Sequence, residues 1–307
     1  MAAKAANSRL KVWLNGKSIW YDEATVPILT HSLQYGSGIF EGIRAYQGKK
    51  GTAIFRLKDH VRRFIESTKI YSMNIGYDAH EIESAIIETV RVNRLKSCYI
   101  RPFAFYSDDH IGLDVSGKKV SVFVAAVPFS DYFGNGGRGL KAKVSSWRRI
   151  NSDVLPVEAK ASGNYLNSII SSIEAKASGF DEAILLSKNG YVSEGSAENI
   201  FMVKNGAIVT PHKASDILLG ITRDTVIKLG EASGIVIDER DMHREELYAA
   251  DEIFFSGTAA GIAPIVNVDG ISIGSGRVGP ITKMITEKYL EAVSGNNPDF
   301  EEWVTYV

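Results

Sequence analysis

The stretch VEAKASGNYLNS, residues 157–168, sets Lys160 among alanines, a serine and a glycine. Most lysines simply solvate themselves on a surface, but small neighbours let something bulky approach this amine. A free lysine has a pKa of roughly 10.4 and is mostly a non-nucleophilic ammonium near neutrality. A reactive Lys160 therefore needs a setting that removes its charge. YVSEGSAENIF places Glu194 just before Gly195 and Ser196. It reads as a solvated turn carboxylate or, if partly buried, as a group that keeps a heterocyclic nitrogen protonated. LLGITRDTVIKL puts Gly220 and Ile221 ahead of Thr222, which reads as a helix N-cap. A helix start opened by glycine also offers free backbone N–H groups to a phosphate. FFSGTAAGIAP offers a similar opportunity around Thr258 and Ala259. Neither stretch follows the P-loop or the dinucleotide GxGxxG pattern, so a phosphate held here need not belong to a nucleotide.

Two more stretches suggest recognition. In CYIRP, Tyr99 and Arg101 share one side of a strand by its period of two. A phenol and a guanidinium so placed can grip a carboxylate, although an ordinary salt bridge for Arg101 is at least as common. In HSLQYGSGIFEGIRAY, Tyr35, Phe40 and Gly42 surround glycines that let backbones pass close to a ligand or simply form tight turns.

The elements that must position these groups follow from periodicity and turn chemistry. LKVWLNGKSIWYDEATVPI reads as a hairpin around Asn15-Gly16. LKDHVRRFIESTKIYSM carries Leu57, Val61, Phe64, Ile65 and Thr68 at helical spacing, and AHEIESAIIETVRVNRL repeats the pattern. SCYIRPFAFYS and KVSVFVAAVPF follow as strands. Residues 1–128 therefore read as a small α+β domain, and the glycine-rich stretch at 129–138 reads as an interdomain linker. Residues 139–307 read as a larger domain. Further Asn-Gly turns at 189–190 and 205–206 lie between β-rich runs and call for antiparallel pairing. Tyr165, Ile169 and Ile173 fall at helical spacing just after Lys160, and helical patterns recur at 222–233 and 278–293. The chain as a whole is α/β (α+β), with an antiparallel-rich second half, and a doubly wound nucleotide fold is disfavoured.

Bulk properties narrow the partners. The 307 residues are 45% hydrophobic and 23% charged with a formal net charge of −1. No strong field exists to draw nucleic acid or an anionic membrane. Cys98 is the only cysteine, which excludes an internal disulfide and a cysteine-cage metal site. It reads as a small buried residue. No apolar run reaches membrane-spanning length and no secretion signal opens the chain, so the cytoplasm is the expected compartment.

Eight motifs taken in order resemble the class IV (fold-type IV) aminotransferases, which use pyridoxal 5′-phosphate, and most closely their branched-chain amino acid members. They are YGSGIFEGIRAY, LKDHVRRF, YIRP, SSWRR, EAKASGNYLNS, YVSEGSAENIF, GITRD and SGTAA. The resemblance runs from about residue 12 to 290. It implies amino-group transfer between leucine, isoleucine or valine and 2-oxoglutarate, with no metal. Lys160 would form the Schiff base with the cofactor aldehyde and later move the proton at the substrate Cα. Glu194 would hold the pyridine nitrogen protonated and make the ring an electron sink. Tyr165 would bond the ring's phenolic oxygen. Arg63, the Thr222 and Thr258 side chains, and the Ile221 and Thr222 amides would hold the phosphate. Helical spacing does not choose Arg63 over Arg62; the family's HxxR pattern does.

The resemblance also implies a substrate pocket lined by Tyr35, Phe40, Gly42, Tyr99 and Tyr132. The α-carboxylate would meet Tyr99 and the Thr258 and Ala259 amides, and Arg101 with Tyr35 would receive the distal carboxylate of glutamate. Leu113 matches a loop position that in the family reaches the neighbouring subunit's site, which implies at least a homodimer. Two places depart from the pattern. Arg149 to Ser152 stand where the family varies, which bears on loop packing, and Phe129 stands where some relatives have tryptophan. D-amino acid aminotransferases and aminodeoxychorismate lyases are alternatives on the same fold, but FEGIRAY and YIRP match the branched-chain set. A non-catalytic scaffold would have lost Lys160 or Glu194, and both are present.

Overall fold

The strand Cys98–Tyr106 carries the alternation on which much of the first half depends. Cys98, Ile100 and Ala104 are fully buried against the helices, while Tyr99 and Arg101 point to the opposite face and keep some exposure. The computed structural model describes residues 9–129, 132–133 and 138–307. These fall into two units, each with its own hydrophobic core. The first takes in the described residues up to 129 together with Ala159–Gly163 and Ala292–Val307. Two segments thus leave the linear order, and one of them carries Lys160. Most of the stretch 129–138 lies outside the described residues.

The first unit is built on an eight-stranded antiparallel sheet. The Asn15-Gly16 turn closes the hairpin of Lys11–Leu14 with Lys17–Trp20. Helices Leu57–Ile70 and Ala79–Val92 cover one sheet face. Leu57, Val61 and Phe64 of the first, with Ile82 and Ile86 of the second, pack into the same core as Ile43, Ile54, Ile100 and Val124. The second helix begins with a capping box, Asp78 accepting from Glu81 N and Glu81 from Asp78 N, each at 2.8 Å. Cys98 is fully buried, and burial pushes its thiol up to about 12, so it serves as packing.

The second unit holds a nine-stranded sheet around Leu140, Ile184, Ile200, Ile253 and Phe255. Val192–Gly195 pairs with both Glu182–Leu186 and Asn199–Lys204, which closes six of the strands into a ring. The expected antiparallel-rich character holds, with three parallel pairings beside it. Leu140–Arg148 runs parallel to both of its neighbours, and Ala207–Thr210 runs parallel to Ile237–Glu239. Asn-Gly turns dictate only the pairs that they join. Strands linked through helices or long segments are free to pair in parallel.

The helix after Lys160 runs Tyr165–Ala177, preceded by a 3-10 turn at Ser162–Asn164. Its burial departs from the periodicity. Ser168, Ser171 and Ala175 are buried, whereas Leu166, Ile169 and Ile173 are exposed. The apolar stripe marks a face that this unit does not cover. Among the described residues no helix is long and apolar enough to cross a membrane, and no cluster of His, Cys, Asp or Glu could hold a metal ion.

Candidate active site

In the first unit, Lys160 is held by its backbone before its side chain does anything. Its N–H donates to Ser67 Oγ at 3.2 Å, and its carbonyl accepts from Phe40 N at 3.0 Å. Ala161 beside it bridges Ile39. The small residues therefore let a short segment lie against the strand Gly38–Phe40. The amine lies 5.1 Å from the centre of the Phe40 ring. Burial, reinforced by the positive charge of Arg63, lowers it from the ordinary 10.5 to about 8, against a smaller opposing pull from Glu41. Some of the residue's surface remains open, but the nitrogen itself is desolvated.

Arg63 owes its place to Glu41. The fully buried Glu41 carboxylate accepts from Arg63 Nε at 2.5 Å and Nη2 at 2.9 Å, from His60 Nδ1 at 2.7 Å, and from Gly42 N at 3.1 Å. Burial alone would raise its pKa, but the Arg63 charge and the His60 bond outweigh it and hold the carboxyl far below its usual range. Burial lowers His60, which matches a neutral ring donating through Nδ1. His60 and Arg63 fall on the same helix, three residues apart, so both reach one carboxylate. Arg62, the other candidate, is exposed and pairs with Asp59 at 2.6 Å.

Tyr99 and Arg101 share a face, and Arg101 Nη2 donates to the Tyr99 hydroxyl at 3.0 Å. The Arg101 guanidinium lies 4.4 Å from the Phe40 ring centre. Its Nε is buried and has no hydrogen-bond partner, a donor that an incoming carboxylate would satisfy. Gly42 is required by the Tyr99 hydroxyl, which sits 2.0 Å from where a Cβ would stand. Lys160, Arg63, Phe40, Tyr99 and Arg101 thus form one cluster. Tyr35 and Leu113 belong to another place: the Tyr35 hydroxyl accepts from Gly112 N at 3.3 Å, and Leu113 is 80% exposed.

In the second unit, Glu194 is buried rather than a solvated turn residue. It accepts from Arg149 Nε at 2.6 Å, Leu218 N at 3.0 Å and Asn199 Nδ2 at 3.2 Å. Arg149 bears on more than the loop packing its position in the sequence suggests, because it is buried and ion-paired with this carboxylate. Thr222 also differs from expectation. The N-cap of the helix Ile221–Ala232 is Gly220, which makes no side-chain cap bond, and Thr222 is the buried second residue of the helix. Gly220 brings no capping side chain to the first turn, which leaves its amides better suited to an anion than the expected threonine cap would. A Cβ on Gly220 would stand 2.0 Å from Asn199 Oδ1. The helix start, Asn199 and Glu194 are thereby tied together.

Thr258 and Ala259 form the tight turn between strands Glu252–Gly257 and Gly261–Val268. Ser256, at the end of the incoming strand, has a buried hydroxyl without a partner. Tyr165 is the first residue of its helix, and Tyr132 packs edge-on against Phe133 at 4.9 Å. The first unit holds a desolvated amine and an anchored guanidinium and the second a glycine-opened helix start and a buried carboxylate, and each set suits one part of a phosphorylated aldehyde cofactor. Sequence reasoning missed Glu41, His60, Arg149 and Asn199. The HxxR spacing hinted at His60, but the pairing of Glu41 with Arg63 and of Arg149 with Glu194 has no local signal.

The family model described as Amino-transferase class IV matches residues 38–268. The branched-chain-amino-acid aminotransferase of Escherichia coli (strain K12) is 42% identical over 96% of this chain and 97% of its own length. The branched-chain aminotransferase of the archaeon Thermoproteus uzoniensis, solved with norvaline, is 47% identical with a TM-score of 0.93, covering 96% of this chain and 98% of that one. The branched-chain amino acid aminotransferase of Thermobaculum terrenum, solved in its PLP-bound holo form, is 36% identical with a TM-score of 0.92, covering 97% and 98%. With likeness running through nearly the full length of each, the chain belongs to the class IV aminotransferases.

Proposed function

We propose that this enzyme moves amino groups between the L-amino acids leucine, isoleucine and valine and 2-oxoglutarate, using pyridoxal 5′-phosphate. The observation that carries the reading is the desolvated amine of Lys160, lowered to about 8 beside Arg63. Its full-length likeness to proteins named branched-chain aminotransferases supports the substrate class. When bound, the cofactor supplies an aldehyde for this amine and a ring that takes up electron density from the substrate Cα.

The chain's own residues do the rest. Lys160, once freed, carries the proton at Cα. Glu194 holds the proton on the ring nitrogen, with Arg149 and Asn199 fixing its orientation. Tyr165 bonds the ring's phenolic oxygen. Arg63, Thr222, Thr258 and the Ile221 and Thr222 amides bind phosphate. Tyr99, with the Thr258 and Ala259 amides, orients the α-carboxylate. Arg101 takes the distal carboxylate of glutamate, while Phe40, Gly42 and Tyr132 complete a mainly apolar wall, and Tyr35, which lies with Leu113 away from this cluster, would join Arg101 only in the partner's pocket. We further propose a cytoplasmic homodimer in which Leu113 enters the partner's pocket. The exposed Leu33, Leu166, Ile169 and Ile173 supply apolar surface for such an assembly.

A kinetic panel of amino donors with 2-oxoglutarate tests the substrate assignment. Leucine, isoleucine and valine should react; turnover of another donor with none of the three would end it.

A further inference from the structure

The five-residue helix His31–Tyr35 grips the loop at 108–113 through one face. His31 is almost fully buried, and its N–H donates to Asp108 O at 3.0 Å. Thr30 forms an isolated bridge with Asp109, and Gln34 Nε2 donates to His110 O at 3.2 Å. The tightest hold falls on Gly112. Its N–H donates to the Tyr35 hydroxyl at 3.3 Å, and its carbonyl lies 3.0 Å from His31 Nε2. Both backbone groups of one residue are thereby committed to side chains one helical turn apart. Gly112 has φ +132, a conformation that side-chain-bearing residues rarely adopt.

The His31 ring is fixed in turn. A carbonyl only accepts, so Nε2 carries the proton, and Nδ1 accepts from Ser37 Oγ at 2.7 Å. Ser32 Oγ donates to Ser37 O at 2.5 Å, which secures Ser37 itself. The ring also stacks on His110 at 4.8 Å with planes 16° apart, and its edge meets Tyr106. On either side of the clamped glycine stand Ile111 and Leu113, which are 77% and 80% exposed. A buried, fully hydrogen-bonded histidine is thus spent on holding still the backbone between two large apolar side chains that this chain leaves uncovered.

We infer that His31 is a positioning residue for substrate specificity: its Nε2–H bond to Gly112 holds Ile111 and Leu113 at the height needed to wall the aliphatic side of a second copy's pocket. The inference rests on the proposed placement of Leu113 at a partner's site. A wall of this kind serves leucine, whose side chain must be enclosed, more than glutamate, whose distal carboxylate is held by a guanidinium.

The test is steady-state kinetics of the cofactor-loaded enzyme with leucine and with glutamate. His31→Leu should raise the leucine KM about tenfold, with the glutamate KM and both kcat values within about twofold. His31→Gln, which can still donate to Gly112 O, should bring the leucine KM back to within about threefold of wild type. Ser37→Ala, a lighter change that frees Nδ1, should give the same selective rise at about two- to fourfold and covers the case in which His31→Leu fails to fold. Leu113→Ala separates the two layers of the argument. If it raises the leucine KM while folded His31 and Ser37 variants leave it unchanged, the loop assignment stands and the clamp is overturned. If Leu113→Ala itself has no effect, the underlying placement fails. An equal loss for leucine and glutamate would reduce His31 to a structural role and also overturn the inference.

Discussion

Each unit buries a carboxylate–arginine pair, and the two pairs share one wiring but differ in which partner keeps exposed surface. In the first, Glu41 is fully buried and accepts from Arg63, His60 and Gly42, while the Arg63 side chain keeps 13% of its surface. The carboxylate is saturated, and the guanidinium keeps what exposure the pair has. In the second, Arg149 and Glu194 are both buried, but Glu194 also draws the Asn199 amide and the Leu218 N–H. There the carboxylate is the held group and the arginine is its support. In both pairs the carboxylate gathers the extra hydrogen bonds, so the difference lies in exposure: the Arg63 side chain keeps 13% of its surface against none for Glu41, whereas Arg149 and Glu194 keep 7% and 8%.

The largest expected effect comes from breaking the first pair. Glu41→Ala leaves Arg63 as a poorly compensated charge, which should cost about 3–5 kcal/mol in denaturant unfolding. It should also raise the cofactor dissociation constant, while kcat with saturating pyridoxal phosphate stays near wild type. A variant that binds cofactor normally would show that Arg63 needs no anchor.

Breaking the second pair from its working side should act on rate instead. Glu194→Gln should lower kcat roughly 10²–10³-fold with the cofactor still covalently attached, seen as retained absorbance of the protein-bound aldehyde. Loss of attachment with little change in rate per loaded site would reverse the proposed roles of the two pairs.

Gly220→Ala sharpens the second pair without touching a charge. The new methyl must displace Asn199, which bonds both Glu194 and Leu218 O, the latter at 2.9 Å. The overpacking should cost about 1–3 kcal/mol, measured by thermal or denaturant unfolding. An unchanged midpoint would mean that the helix start moves freely.

The smallest effect is a titration. An amine at about 8 in place of 10.5 gains its free form as pH rises through 8. The rate of loading the apoenzyme with pyridoxal phosphate should climb roughly tenfold from pH 6 to 7 and level off above about 8. The same lowering means that the unfolded chain binds the extra proton between about 8 and 10.5, so apoenzyme stability should rise across that window. A loading rate still climbing at pH 10 would place the amine in solvent.

Much of the site was legible because its signals are local. Tyr99 and Arg101 share a face through strand alternation, whereas the local pattern places the helix start two residues late, with Thr222 as the cap where Gly220 stands. The misjudged residues depend on distant partners. Glu41 meets Arg63 22 positions later, and Arg149 meets Glu194 45 positions later. The stripe on Tyr165–Ala177 shows the same limit: spacing established an amphipathic helix but not that its serine face turns inward.

The sequence by itself determined the family, the helices and hairpins, and which side chains carry reactive chemistry, because turn preference, periodicity and functional groups are properties of neighbouring residues. Only the tertiary structure decided which arginine meets which carboxylate, and that Lys160 sits where an ammonium is disfavoured. Desolvation and charge pairing are sums over everything within a few ångströms of an atom, and most of those atoms come from far along the chain.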